Sequence, residues 1–337
     1  MGARGPRAAI GKAHVMMHSA LGALIAALVA SAIPLAVHAE DAFPARPVTM
    51  IVPFAAGGSS DVIARIVGEE LGRVLGQRIV HENMAGAGGS TGLARAATAA
   101  PDGYTIAIGN AGTNAAAYTI YPELKYGPSA FEPIGLVAKT AAVIAIRRDF
   151  PDKSLQAFIA NAHKNPGAIR LGHAGVGSSN YLICKSFVLA AKIDITLVSY
   201  RGGAPALNDA IGGHIDGVCD AASSVSPSIA GGQVHGLVVA ASERLPNLPD
   251  VPTAAEAKLP EFTAGGWNAL FAPAGTPAPI IAALHAATAK ALAGDIIGRR
   301  FADIGAALPV GDELSTAYLK RYVPAEIEKY KVLLQAK

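Results

Sequence analysis

The chain has 337 residues, 28 basic against 25 acidic, and 51% of them are hydrophobic. Residues 1–39 hold three of the basic residues, Arg4, Arg7 and Lys12, and no acid, so without them the chain is formally neutral, with 25 of each sign. Nucleic acid and anionic membrane surfaces are bound by clustered Lys and Arg, so this balance argues against both partners. The remaining 298 residues are enough for a large core and for two domains.

The N-terminus reads as a secretory signal peptide. A basic segment precedes an apolar run from Ala20 to Val37, interrupted by Pro34, and Val37-His38-Ala39 offers small residues for cleavage after Ala39. That pattern fits export to the periplasm better than a spanning helix, and the absence of an Arg-Arg pair points to the general secretion route.

The first element of the mature chain is a short apolar strand, Val48 to Val52, which runs through Pro53-Phe54-Ala55-Ala56-Gly57-Gly58 into a helix with Ser60 or Asp61 as its N-cap. A helix start presents about four unpaired N–H groups and roughly half a positive charge, so a carboxylate is favoured there without a basic side chain. Ile79-Val80 then leads through Asn83 and a glycine loop to an Ala-rich helix, Thr91 to Ala100. Tyr104 to Ile108 leads into Gly109 to Asn114 and a further helix. Strands alternating with helices predict α/β layers around a mainly parallel sheet.

A second series of the same grammar follows Val137. Strand Val143 to Ile146, helix Ser154 to His163 and strand Ala168 to Gly172 enter the turn Gly175-Val176-Gly177-Ser178-Ser179-Asn180. Helix Tyr181 to Ala191, strand Ile195 to Tyr200, the turn Gly202-Gly203-Ala204-Pro205, helix Leu207 to Ile211, and strands Val218 to Asp220 and Leu237 to Ala240 come next. Two similar α/β halves are more economical than one sheet of so many strands. After the Pro-rich stretch 245–260 come strand Trp267 to Phe271 and a helix capped by Thr276 with Pro277 in its first position. Three terminal helices, 278–293, 295–304 and 313–334, return to cover the first half. Trp267 is expected to pack near the crossover between halves rather than stack on a ligand.

Two motifs compete with a binding role. Gly86 to Gly92 loosely fits a GxGxxxG dinucleotide loop, but the following strand ends at Asn110 where an acid would hold the ribose. Gly88-Gly89-Ser90-Thr91-Gly92 fits GxSxG, so an exported serine hydrolase using Ser90 is the alternative reading. A nucleophile elbow follows directly on a strand, whereas Ser90 lies seven residues past Asn83. Cys184 and Cys219 are either one disulfide or two buried thiols. The histidines of the mature chain are scattered without HxH or HExxH grouping, so no metal and no cofactor are expected.

The stretches Pro44 to Val48, Pro53 to Gly58 with Asp61, Asn83 to Gly89, Pro101 to Tyr104, Tyr200 to Leu207, Leu248 to Thr253 and Phe271 to Pro277 together closely resemble the Bug family. These are extracytoplasmic solute receptors of tripartite tricarboxylate transporters. The resemblance spans the mature chain. It implies a two-lobed periplasmic binding protein, type II-like, that closes like a Venus flytrap, with two chain crossovers between lobes. Lobe 1 would comprise 41–142 plus 264–337, and lobe 2 143–263.

The resemblance also implies a small carboxylate ligand (di- or tricarboxylate, acidic amino acid or aromatic acid) held by backbone donors and ordered water at the first glycine loop, which maps onto Phe54, Ala56, Gly57 and Asp61. Thr113, Ser178, Ser179, Tyr200, Gly203 and Asp220 match other cleft-lining positions. Tyr181 stands where many relatives carry His. The implied partners are integral-membrane permease subunits, or alternatively a sensor kinase, with the receptor acting as a monomer and not as an enzyme.

Overall fold

The computed structural model describes residues 1–2 and 43–335, so the expected signal peptide lies outside the described residues. Strand β1 (Val48–Val52) lies between β2 (Ile79–Asn83) and β3 (Thr105–Asn110), parallel to both. Its Val48, Met50, Ile51 and Val52 are all fully buried, as a strand covered on both faces requires. Helix α1 (Ser59–Leu75) follows β1. Its N-cap is Gly58, ahead of the expected Ser60 or Asp61, and left-handed Gly76 (φ 69°) ends it. Ile63, Ala64, Val67 and Leu71 recur at helical spacing and enter the same core as β1.

Helix α2 (Ser90–Ala97) covers the sheet after β2. A π-helical turn over Gly112–Ala116 and the short α3 (Ala117–Ile120) follow β3. Strand β4 (Phe131–Arg147) comes next and is 17 residues long. Residues 131–141 of β4 pair with the late strand β9 (Gly265–Pro273), and residues 142–147 pair with β7 (Gly217–Ala221) and β8 (Val234–Ala240). One strand therefore belongs to both sheets. Register shifts around Pro133/Gly135 and Leu136/Ala138 bend it within the first sheet.

The second sheet sets β5 (Arg170–His173) between β6 (Thr196–Ser199) and β7, parallel to both. It is flanked by α4 (Leu155–Lys164), α5 (Ser179–Ala191), α6 (Gly203–Ile211) and α7 (Ala222–Ala230). Ser154 caps α4 by accepting from the Ala157 N–H. The Cys184 and Cys219 sulfurs form a disulfide that joins α5 to β7 inside a core built on Phe158, Phe187 and Phe262.

The expectation of a mainly parallel sheet is corrected. Pairs β3–β9, β4–β9, β4–β7 and β4–β8 are antiparallel, because β4 leaves the first sheet and β9 returns to it in the opposite sense. Helix α7 was not anticipated, since its sequence ASSVSPSIA is Ser-rich and carries Pro227. The terminal helices α8 (Ala278–Leu292), α9 (Asp295–Asp303) and α10 (Thr316–Gln335) cover the first sheet through Leu284, Ile297, Phe301, Leu319 and Tyr330. Thr276 is not the cap of α8: its hydroxyl donates to Pro273 O, and Pro277 occupies the cap.

Candidate functional site

The two sheets turn the starts of their helices toward one another. Among the described residues, four hydrogen bonds cross the cleft. The Ala55 N–H donates to Arg201 O (3.3 Å), the Gly112 N–H to Ser179 Oγ (3.2 Å) and Tyr121 OH to Val176 O (2.6 Å), and the Ser59 and Ser223 hydroxyls are hydrogen-bonded to each other at 2.6 Å. The approach depends on glycine. A Cβ on Gly88 (φ 60°) would stand 2.0 Å from Val176 O, and one on Gly112 would stand 2.5 Å from Gly177 O. Gly88 is thus spent on contact with the facing half rather than on a dinucleotide loop.

Between these contacts lies a cavity of about 20 Å³, room for roughly one water. Gly58, Ser59 and Ser60 from the start of α1 line one side, and Ser179 and Asn180 of α5 with Gly203 of α6 line the other. Phe54, Ile183 and Trp267 supply apolar walls, and among the described residues no charged side chain lines it. A polar chain forms the floor: Asn110 Nδ2 donates to Ser60 Oγ (3.1 Å), which donates to Asn268 Oδ1 (2.9 Å). An open groove of about 710 Å³ lies beside it, lined by Ala55, Tyr121, Val176, Tyr200 and Arg201. Ala174 belongs to both spaces. Admitting any solute larger than water to the inner cavity requires its walls to part.

Of the ten residues expected at the site, Phe54, Ser179 and Gly203 reach the inner cavity, and Tyr200 lines the outer groove while its OH donates to Asp209 Oδ2 (2.8 Å). Ala56 and Gly57 are exposed. The Gly57 N–H is already taken, because it donates to Asp61 Oδ2 at 2.9 Å. Asp61 itself lies under the loop, held by Arg65 Nε (2.9 Å) and Asn83 Nδ2 (2.8 Å). Burial alone would raise its pKa, but Arg65, the Gly57 N–H and Asn83 outweigh burial and hold it below the usual carboxylate range.

Ser178 caps α5, accepting from the Tyr181 N–H and donating to Gly175 O. Thr113 accepts from the Asn110 N–H and donates to Asn114 Oδ1. Both are scaffold: Thr113 holds Asn110 of the inner cavity, and Ser178 holds Gly175 of the outer groove. Asp220 lies behind Gly203, where burial pushes its carboxyl up to about 6 against the pull of the Ala221 N–H, Ser224 and Asn180.

Sequence reasoning did not place Ser59, Ser60, Asn110, Asn180 and Asn268 at the site. Asn110 and Asn268 end up side by side on the antiparallel pair β3–β9, and a buried Asn facing inward from a strand was the available signal. Trp267 packs as expected, with Nε1 donating to Glu326 Oε2 at 3.0 Å, and it also forms a cavity wall. His173 accepts the Gly175 N–H at Nδ1, and burial pushes its pKa down to about 4, so a neutral ring props the glycine turn. Tyr181 packs its ring at a tilt against His173, with centroids 5.2 Å apart, and does not line the inner cavity. Ser90 is buried at 6% exposure at the first position of α2, and among the described residues no base bonds its Oγ. A serine without a base is not an activated nucleophile.

The model of the tripartite tricarboxylate transporter family receptor matches residues 63–337. A protein of the TAR-I ttuE-ttuC' intergenic region of Agrobacterium vitis is 39% identical over 312 residues, covering 92% of this chain and 90% of its own. MatC of Rhodopseudomonas palustris, solved with bound malate, is 40% identical with a TM-score of 0.83, covering 87% of this chain and 100% of its own. The periplasmic binding protein BugD is 35% identical with a TM-score of 0.83, covering 87% and 98%. The fold is that of a two-lobed periplasmic binding protein, and the chain belongs to the tripartite tricarboxylate transporter family of receptors.

Proposed function

We propose that this receptor works in the periplasm, captures a small carboxylate between two lobes, 41–142 plus 264–337 and 143–263, and presents it to the permease subunits of a tripartite transporter. No bond is made or broken. The observation that carries the reading is a cleft lined from both sides by helix starts and neutral hydrogen-bonding side chains, with no charged side chain among the described residues of its wall. Such a wall suits an anion whose charge is met by peptide dipoles. The malate bound to MatC, similar over the whole of that chain, supports the ligand class.

The ligand sits among Phe54, Ser59, Ser60, Ser179, Asn180 and Gly203. Ala56, Gly57 and Tyr200 shape the mouth, Asp61, Thr113 and Ser178 hold the loops, and Asp220 closes the far wall. Hydrogen bonds to a charged group contribute roughly 1.5–3 kcal/mol each, and micromolar affinity requires about −8.2 kcal/mol, so a few donors suffice. Contacts made to both lobes only when closed drive closure by differential affinity.

A thermal-shift screen against a carboxylic-acid panel tests this. A ligand that binds only the folded protein adds about 2.7 kcal/mol at 100 times its Kd, so one or more small carboxylates raise the melting temperature. Shifts with neutral sugars or cations alone would overturn the reading. Ser90→Ala should leave the affinity of any ligand found unchanged; loss of a catalysed hydrolysis in that variant would favour the hydrolase instead.

A further inference from the structure

A further space of about 270 Å³ lies next to the inner cavity and apart from the outer groove. Leu182, Ile183 and Ser186 of α5 form one wall and Tyr330 and Leu333 of α10 another, and residues 263–265, which lead into β9, join the two. Helix α5 flanks the second sheet and α10 covers the first, so the walls come from both halves of the molecule. Ile183 borders both this space and the inner cavity, and the consecutive Gly265 and Gly266 line one each. A single layer of chain separates them.

Protein interiors rarely leave gaps larger than a water, and an apolar cavity of about 150 Å³ stays dry and takes up benzene. Val332, 69% exposed, adds an apolar lip. Lys329 is the one charged residue among the described residues of the wall, and its ammonium stands 2.9 Å from Glu326 Oε1, while Glu326 Oε2 accepts from Trp267 Nε1. The local charges therefore cancel. A cationic guest would face the ammonium, and an anionic one would compete with Glu326 for it. A neutral guest meets neither cost. Tyr330 offers it a ring whose centroid lies 5.0 Å from Lys329 Nζ, and aromatic pairs gain more than the area they bury.

We infer that this space is a second binding site, for a small neutral aromatic molecule, and that a molecule seated there favours the closed form. The coupling follows from the walls. Because they belong to different halves, the space keeps its shape only while the halves hold the arrangement in which the inner cavity has shrunk to about 20 Å³. A guest that fits this arrangement better than an open one shifts the population toward it. The inference holds whichever solute the cleft takes.

Calorimetric titration of the protein with indole tests the site. Indole binds with a Kd of about 1 mM or tighter, and tryptamine, the same ring carrying an ammonium, binds more weakly. Ser186→Leu fills the space from α5 and weakens indole at least about tenfold. Val332→Glu, at an exposed position that folding tolerates, removes the apolar lip and weakens it about threefold or more. No binding, tryptamine as tight as indole, or indole equally tight in both variants would overturn the assignment. Amide hydrogen exchange tests the coupling, because the Ala55 and Gly112 N–H groups donate across the cleft. Saturating indole slows their exchange at least about threefold. A ligand indifferent to opening leaves exchange through that motion untouched, so unchanged or faster exchange at these two amides would overturn the coupling.

Discussion

Asp61 and Asp220 occupy comparable places in the two halves. Each lies close to a glycine opening that leads into a helix, and each is all but inaccessible, at 2% and 1% exposure. Their states are opposite. Asp61 is surrounded by the Gly57 N–H, Arg65 and Asn83, and its acidity is strengthened. Asp220 has one oxygen satisfied and one bare, and its acidity is weakened. Asp220 is the more deeply embedded of the two and lacks the cation that Asp61 has in Arg65, so burial prevails at Asp220 and is outweighed at Asp61. The first half spends its acid on holding a loop, and the second half buries its acid behind Gly203.

The halves also differ in how they are held. The disulfide Cys184–Cys219 closes a stretch of 35 residues within the second half, and removing it breaks the comparison most strongly. Cys184→Ala with Cys219→Ala should lower unfolding stability by about 4 kcal/mol by the chain-entropy relation, read from denaturant midpoints, and should loosen α5 against β7. A midpoint unchanged on reduction would show that the second half needs no staple.

Asp61→Ala comes next. It strands the Gly57 N–H and Asn83, but Arg65 is half-exposed and recovers water, so the loss is about 3 kcal/mol, at the low end for a broken buried ion pair. The lowered folded pKa makes the contribution of Asp61 present above the ordinary carboxylate range and lost as pH falls through the folded value. The gap between wild type and variant should therefore shrink below about pH 4, and a constant gap from pH 7 to 3 would contradict the pairing.

Asp220 behaves in the reverse sense. Its folded pKa of about 6 lies above the ordinary 3.8, so the folded protein binds the proton more tightly, and the cost of ionisation is absent at low pH. Stability of the ligand-free protein should fall by about 2 kcal/mol as pH rises from about 4 to 6, and Asp220→Asn should flatten that slope. A slope identical in both proteins would remove Asp220 as its source.

The smallest effect belongs to the contact that joins the halves at the groove. Tyr121→Phe removes the bond to Val176 O, which should cost the closed form about 1 kcal/mol, roughly a fivefold population change toward open. Small-angle scattering of ligand-free protein reads this as a larger radius of gyration, and superimposable curves would show that Tyr121 is no latch.

Much of this was legible along the chain. The strand, glycine turn and helix from Val48 to Leu75 are written in an apolar run, Gly57-Gly58 and helical spacing, and the same local signals recur from Arg170 to Ile211. Strand β4 was read only from Val143, because Pro133 and Gly135 interrupt its alternation where it bulges, and α7 was hidden by its serines and Pro227. The site was legible where it coincides with helix starts, at Phe54, Ser179 and Gly203. It was illegible where partners come from afar: Ser60 meets Asn110 and Asn268, 50 and 208 residues away.

Local order along the chain, the α/β class, the glycine openings and the exclusion of a basic binding surface were determined by the sequence itself, because short-range sterics, periodicity and net charge act over a few residues or over the whole composition. Which opening keeps a free polar atom, which serine is spent as a cap and how far the two walls approach were decided only by the tertiary structure. A buried donor or acceptor finds its partner in space, and distance in the chain says nothing of that partner.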